Sequence, residues 1–172
     1  MNRVSRHSSS LLKIQLLREG IVESTHTAHA VICDERGRVL TSAGDPEFGS
    51  FIRSSLKPFQ AMAVTTTGTL DHFQLTDRDL AIICSSHHGN IEQPRQAFNV
   101  LWRCDVEPTA LQCPIPKGKN TPLAHNCSGK HAGMLAVCKH RGWSLDGYLQ
   151  RSHPVQKLVI SQLSELLGMP AD

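Results

Sequence analysis

The stretch from Arg53 to Thr66 reads RSSLKPFQAMAVTT. Leucine, phenylalanine, methionine and alanine residues run through it and suit a buried helix. Pro58 fits such a helix only in the first turn, where its missing N–H would have no partner anyway. The sequence therefore predicts a helix that ends at about Thr66 and has Ser54 at its very start.

The order of the other predicted elements indicates the fold class. Apolar residues on both sides of a turn signal at Arg36-Gly37 predict an antiparallel hairpin before the helix. A proline-rich stretch from Val106 to His125 is predicted to be irregular. Strands first and helices afterwards favour an α+β fold over a doubly wound sheet. The later helices are predicted over about 91–104, from Ser128 to about His140 and from Pro154 to Leu167, with a capping-box start at Thr76 and Asp79.

The N-terminal residues do not show the pattern of a targeting segment. Residues 1–19 are interpreted as a flexible N-terminal extension, since chain termini are usually loosely attached. Order is expected from Gly20, so the predicted folded part is 20–172. The apolar run Leu11–Leu17 is interrupted by polar residues and does not look like a secretory signal. No stretch approaches the roughly 18 apolar residues of a membrane span. A cytoplasmic protein without a membrane partner is expected.

Charge and cysteine content exclude two further function classes. The formal net charge is +3 and the basic residues are scattered, which argues against a nucleic-acid-binding protein. The six cysteines are widely spaced and contain no CxxC pair. In a reducing compartment they are expected to be buried thiols rather than a disulfide scaffold.

The first candidate catalytic motif is the S-x-x-K pair of Ser54 and Lys57. A serine hydroxyl is a poor nucleophile near neutral pH and needs a partner that accepts its proton. Residues three apart share a helix face, and a partly buried amine can be neutral and act as that base. The helix N-terminus favours the developing oxyanion. The same pattern serves β-lactamases and penicillin-binding proteins. Alternatively, Ser54 only caps the helix and Lys57 points to solvent.

Two further motifs combine groups that can do chemistry. Residues 84–89 read CSSHHG, in which a second serine can relay a proton and the histidines can be acid, base or ligand. The alternative is a polar turn after a buried segment. Residues 125–134 read HNCSGKHAGM, around a predicted helix start. A cysteine there can be a metal ligand or a nucleophile, although the cluster has no standard zinc spacing. The alternative is a helix cap with glycines that permit close packing.

Taken together, these stretches resemble the rhizobial-type L-asparaginases, also called the asparaginase II family. The resemblance spans roughly residues 18 to 170, and three motifs in the right order are more specific than any one of them. It is carried by REGIVE at 18–23, RSSLKP at 53–58, CSSH at 84–87, NCSGKHAGM at 126–134 and HPVQ at 153–156.

The resemblance implies a fold similar to serine β-lactamases and penicillin-binding proteins, and hydrolysis of the side-chain amide of L-asparagine. It implies that Ser54 is the nucleophile, Lys57 its base and Ser86 the second active-site serine. It also implies a zinc ion held partly by Cys127 and Lys130. An ammonium cannot coordinate a metal, so Lys130 would have to be deprotonated, which the metal itself can enforce.

The chain departs from the family in length. Family members are substantially longer, and their second metal-ligating cysteine and second active-site lysine lie beyond the part that matches this chain. Residues 20–172 are therefore expected to be the N-terminal part of an asparaginase II-like domain, with an incomplete β-lactamase-like architecture. The expected partner is a second copy in a homodimer or a complementing C-terminal chain.

The leading hypothesis is hydrolysis of L-asparagine to L-aspartate and ammonia through a serine acyl-enzyme. Arg53 and His131 are the candidate substrate-binding residues. Arg53 next to the nucleophile suits a substrate carboxylate, or equally covers the helix end. Two alternatives stay open. One is an S-x-x-K peptidase or lactamase-like hydrolase, and the other is a non-catalytic zinc-binding module that needs a partner chain.

Overall fold

The structure is a computed structural model that describes residues 7–171, with the side chain of His7 left out. The chain divides into two compact units, the first ending at Phe51 and the second beginning at Ile52. The predicted extension over residues 1–19 falls partly on residues 1–6, which lie outside the described range.

The first unit consists of short strands in two sheets. A three-stranded sheet has β5 in the middle, parallel to β1 and antiparallel to β4. A two-stranded antiparallel sheet joins β2 to β3, with Leu12 opposite Ala28 and a register shift between Leu16 and Leu17. The strands are β1 His7–Ser9, β2 Leu12–Arg18, β3 Ile21–Ala28, β4 Ala30–Cys33 and β5 Val39–Ala43.

The predicted hairpin around Arg36-Gly37 is confirmed as β4 and β5. Asp34 fixes its turn, because the Asp34 carboxylate accepts the backbone N–H groups of Arg36 and Arg38 at 3.0 and 2.9 Å. These bonds stabilise the charged carboxylate, and the bond from the Arg38 backbone contributes most to lowering the pKa of Asp34.

The strands β1 and β2 lie in the stretch that was interpreted as a flexible extension. The turn between β2 and β3 consists of Glu19 and Gly20, with φ of 50° and 84°. Two successive residues with positive φ match the twist of a two-residue hairpin. Leu12, Ile14 and Leu16 alternate with polar residues, which is the period of a strand. The alternating pattern therefore indicates a strand here, although the segment lies near the chain terminus.

The second unit is helical and contains six α-helices among the described residues. Its proline-rich segment forms only two short 3-10 helices, Pro108–Ala110 and Pro122–Ala124, so the prediction of an irregular stretch is confirmed. The helices are α1 Lys57–Thr66, α2 Thr69–His72, α3 Asp77–Cys84, α4 Glu92–Arg103, α5 Ser128–His140 and α6 Pro154–Leu167.

Helix α5 lies at the centre of this unit and is buried along almost its whole length. It packs against α1, α3 and α4, whose small and aliphatic residues complete the core. Gly129 and Gly133 face α3. A Cβ at Gly129 would overlap the carbonyl oxygen of Ile82, and one at Gly133 would lie 2.7 Å from Cγ2 of Ile83. The absence of these side chains allows the two helices to approach closely.

The helix start at Ser54 is displaced from its predicted position. Pro58 lies in the first turn of α1, as predicted, but α1 begins at Lys57. Ser54 belongs to a 3-10 helix, Arg53–Leu56, that leads directly into α1, and the Lys57 N–H donates to the Ser54 carbonyl oxygen. The tighter 3-10 turn is common at α-helix N-termini.

The overall class of the described residues is α+β, as predicted, with small sheets followed by helices. The similarity to serine β-lactamases and penicillin-binding proteins stays a prediction. Among the described residues, no helix combines the length and the apolar character that crossing a membrane requires.

His87 connects the segment after α3 to the start of α5 by hydrogen bonds. Its ring is buried, with Nδ1 accepting the Gly89 N–H at 3.1 Å and Nε2 at 2.9 Å from the Ser128 hydroxyl. Because the Ser128 hydroxyl donates to the Leu123 carbonyl, it accepts from His87 Nε2–H. The ring is therefore neutral. Burial, followed by the charge of Lys57, lowers the pKa of His87.

We expect Gly129→Ala to lower the free energy of unfolding by about 2 kcal/mol, because a methyl group would push α5 away from the α3 backbone. Gly133→Ala is the matched comparison: it gains the same helix propensity but meets only the Ile83 side chain, which can rotate. Urea unfolding measures both variants. Equal or greater loss in Gly133→Ala would contradict the role of the close backbone approach.

The buried neutral ring of His87 makes stability depend on pH. The unfolded chain takes up a proton near the usual value of 6.5, whereas the folded chain does so only at lower pH. This contribution is present above 6.5 and is lost as the pH falls through the folded pKa. His87→Asn retains an acceptor for Gly89. We expect the free energy of unfolding of this variant to fall less between about pH 7.5 and pH 5 than that of the wild type. Identical pH dependence in the two proteins would show that His87 is not the responsible group.

Candidate active site

The start of α1 and the start of α5 line an open cavity of about 330 Å³ in the second unit. Five of its six lining residues are candidate site residues of the sequence analysis, and Gln60 is the sixth. The 3-10 helix and α1 contribute Arg53, Ser54, Lys57 and Gln60, and the segment at the start of α5 contributes Cys127 and Lys130.

Ser54 and Lys57 differ in their exposure to solvent. Ser54 is exposed on the 3-10 turn, whereas only 2% of Lys57 is exposed. Nζ of Lys57 donates to the backbone oxygen of Asn126 at 3.4 Å. Among the described residues, the Ser54 hydroxyl makes no hydrogen bond, to Lys57 or to any other group. The two residues therefore share the cavity wall, with the serine accessible and the amine protected.

Arg53 holds an unusual backbone conformation beside the proposed nucleophile. Its φ is 51°, in the left-handed region that favours glycine. A residue with a side chain is strained there by roughly 1 kcal/mol or more, and such strain is concentrated at functional sites. The exposed guanidinium belongs to the cavity lining.

The charge on the cavity wall has one sign. Arg53, Lys57 and Lys130 bring three basic side chains, and no acidic residue is among the lining groups. Clefts lined by one sign of charge raise the local concentration of the opposite ion. The cavity is thus suited to an anionic ligand, and a carboxylate has the planar geometry that an arginine side chain binds with two hydrogen bonds.

Ser86 does not line the cavity. It is connected to the cavity residues through Asn126. The Asn126 amide Nδ2 donates to the Ser86 hydroxyl oxygen at 3.2 Å. The backbone oxygen of Asn126 accepts from the His87 N–H at 3.1 Å and from Lys57. The structure therefore joins the second motif to the third at Asn126, in addition to the contact between His87 and Ser128.

His131 lies below the surface on α5 and does not line the cavity. Its Nδ1 is 2.6 Å from the Tyr148 hydroxyl, which accepts the Gln112 N–H at 3.0 Å. The tyrosine hydroxyl therefore donates to His131. Burial is the first cause and neighbouring Lys130 the second in lowering the pKa of His131 to about 4. Burial likewise raises the pKa of Tyr148 to about 12. The pair is neutral near pH 7, and the substrate-binding role of His131 stays a prediction.

The donor set for a zinc ion is incomplete among the described residues. Cys127, half-buried at the N-cap of α5, and Lys130 supply one sulfur and one nitrogen on the same cavity. No cluster of three or more histidine, cysteine or acidic side chains in residues 7–171 is arranged to hold a metal. Catalytic zinc sites have three protein ligands and structural sites have four. The residues present do not form a zinc site by themselves.

Two residues of the region were missed by the sequence predictions. Gln60 follows Lys57 by three positions, so the helical period that placed Lys57 beside Ser54 also places Gln60 on that face. Asn126 belongs to the third motif, but the motif alone assigns it no role. Its contacts cross from the start of α5 to Ser86 and Lys57, and spacing along the chain does not reveal such contacts.

A search of curated proteins finds no match. The profile of a family described as L-asparaginase II matches residues 14–172, which is nearly the whole chain. The matched range includes every residue of the cavity wall, together with Ser86, Asn126 and His131. The chain therefore belongs to the L-asparaginase II family, a family of amidohydrolases.

Proposed function

We propose that this chain hydrolyses the side-chain amide of L-asparagine to L-aspartate and ammonia, with Ser54 as the nucleophile. The observation that supports it best is the cavity itself. An accessible serine and a buried lysine share its wall with two further basic residues, Arg53 and Lys130. A serine, a base and a site for a carboxylate are the groups that an acyl-enzyme route from asparagine requires.

The first half of the reaction forms an ester on Ser54. Lys57, as the neutral amine, accepts the hydroxyl proton while the serine oxygen attacks the side-chain carbonyl carbon of asparagine. The tetrahedral intermediate then collapses and its carbon–nitrogen bond breaks. The departing nitrogen needs a proton, because the amide anion is a very poor leaving group, and Ser86 relays that proton. Ammonia leaves and the aspartyl ester remains.

The second half of the reaction releases the product. A water molecule gives one proton to the amine of Lys57 and attacks the ester carbonyl carbon. When the new intermediate collapses, the acid product forms and the Ser54 oxygen leaves. The Ser54 oxygen recovers its proton from Lys57. The sum of both halves is amide plus water to carboxylic acid plus ammonia, which become carboxylate and ammonium near neutral pH, with every protein group restored.

Arg53 is proposed to bind the α-carboxylate of the substrate. It lines the cavity next to Ser54, and its planar guanidinium pairs well with a carboxylate. The substrate-binding role of His131 stays a prediction: the residue does not line the cavity, and its Nε2 has no hydrogen-bond partner among the described residues. For assembly we propose a homodimer, for which sedimentation analysis of the purified chain is the test.

Ammonia release from L-asparagine tests the proposed reaction. We expect the wild-type chain to release ammonia and Ser54→Ala to lose at least about 1,000-fold in kcat, because the nucleophile is absent. Ser55→Ala is the matched control, since Ser55 lies on the same exposed turn but outside the cavity lining. It is expected to stay within about threefold of the wild type. A folded chain that releases no ammonia, or an active Ser54→Ala variant, would overturn the proposal.

Zinc binding is a separate proposal, in which Cys127 and Lys130 supply two of the ligands and other groups complete the site. We expect Cys127→Ser to weaken zinc binding by at least about tenfold, because it removes the strongest donor, and Lys130→Gln to weaken it as well. Competition against a chromogenic chelator measures the affinity. Cys33→Ser is the control, since Cys33 is exposed in the first unit. Unchanged affinity in Cys127→Ser would show that this residue is not a ligand.

A further inference from the structure

Asn126 makes hydrogen bonds to both elements of the proposed catalytic machinery. Its side-chain Nδ2 donates to the Ser86 hydroxyl oxygen at 3.2 Å. Its backbone oxygen accepts from Lys57 Nζ at 3.4 Å and from the His87 N–H at 3.1 Å. One residue therefore contacts the proposed base, the second serine and the residue after that serine.

The side chain of Asn126 has no local structural task among the described residues. The N-cap of α5 is Cys127, and no side chain caps that helix. Asparagine beside a helix start ordinarily bonds to nearby backbone groups. Here the hydrogen bond of the side-chain amide within the described range goes to a serine hydroxyl 40 positions earlier in the chain. Its partner is thus a side chain that the proposed mechanism uses.

The direction of this hydrogen bond matters for the chemistry of Ser86. A serine hydroxyl has one hydrogen to donate and two lone pairs that accept. When the amide N–H occupies a lone pair, the hydroxyl hydrogen remains available for another acceptor. An amide donor at this position therefore orients Ser86 as a proton donor, which is the role that departure of ammonia requires.

The location of Ser86 is fixed by two contacts. The Asn126 side chain bonds to the Ser86 hydroxyl, and the Asn126 carbonyl bonds to the N–H of His87, the next residue. Two points of attachment on adjacent residues restrict both the position and the rotation of the serine. Since the same carbonyl also accepts from Lys57, Asn126 sets where Ser86 lies relative to the base.

We propose that Asn126 is a positioning residue that holds the Ser86 hydroxyl ready to protonate the leaving nitrogen. This inference rests on the proposed serine amidohydrolase function. It assigns no covalent step to Asn126: the proton passes from the Ser86 oxygen to nitrogen, and Ser86 regains one from the Lys57 ammonium formed during attack.

The consequence is that the need for Asn126 depends on the leaving group. Ammonia leaves only when its nitrogen is protonated, whereas p-nitrophenolate leaves as a stable anion without a proton. A residue that merely maintains the fold would affect both reactions to the same extent. A residue that positions a proton donor affects only the amide.

The test compares L-asparagine with the p-nitrophenyl ester of the aspartate side chain. Asn126→Asp keeps the shape and the backbone carbonyl but replaces the N–H donor by an acceptor, and Asn126→Ala removes the group. We expect both variants to lose on the order of 100-fold in kcat with asparagine, with KM within about threefold. Reaction with the ester is expected to stay within about threefold. Asn99→Ala, at an exposed position on α4, is the control and is expected to change neither reaction.

The possible results separate this inference from the proposed function. Equal loss with both substrates, or no loss with either, overturns the role of Asn126 while leaving the nucleophile Ser54 in place. A wild-type chain that folds but acylates with neither substrate, as read by mass spectrometry at Ser54, overturns the proposed function and this inference with it. Urea unfolding midpoints matched to the wild type establish that the variants are folded.

Discussion

The close approach of α5 to the end of α3 is the constraint on which the second unit depends. Gly129 has no Cβ, and this leaves room for the backbone of Ile82. The approach brings the Ser128 hydroxyl within reach of His87 and the Asn126 amide within reach of Ser86. The packing of α5 on α3 therefore sets the distance between the segment that contains Ser86 and the segment that contains Asn126 and Ser128.

The parts of the site that were predictable from the sequence are those encoded within a single turn. Ser54 and Lys57 are three residues apart, as are Cys127 and Lys130, and the helical period brings each pair to one face. Their meeting in one cavity joins segments about 70 positions apart, as the contact between Lys57 and Asn126 shows. Only the family resemblance implied that meeting.

The fold was predictable to a similar depth. Helices α4 and α6 show apolar periodicity, α5 is an apolar segment closed by Gly142, and the hairpin of β4 and β5 has a turn residue, Asp34, that accepts neighbouring backbone N–H groups. Strand β2 was missed because its position near the terminus counted for more than its alternating pattern, although its partner β3 follows after a two-residue turn. The β-lactamase-like architecture depends on the arrangement of all elements, which no local pattern encodes.

The backbone of Arg53 has a meaning for how this protein tolerates change. Glycine would adopt its φ of 51° without strain, so replacement by glycine would stabilise the chain by removing a local cost. A long cationic side chain is present there instead, on the wall of the cavity. Selection for stability alone would therefore favour glycine at position 53, whereas the proposed carboxylate contact requires the guanidinium.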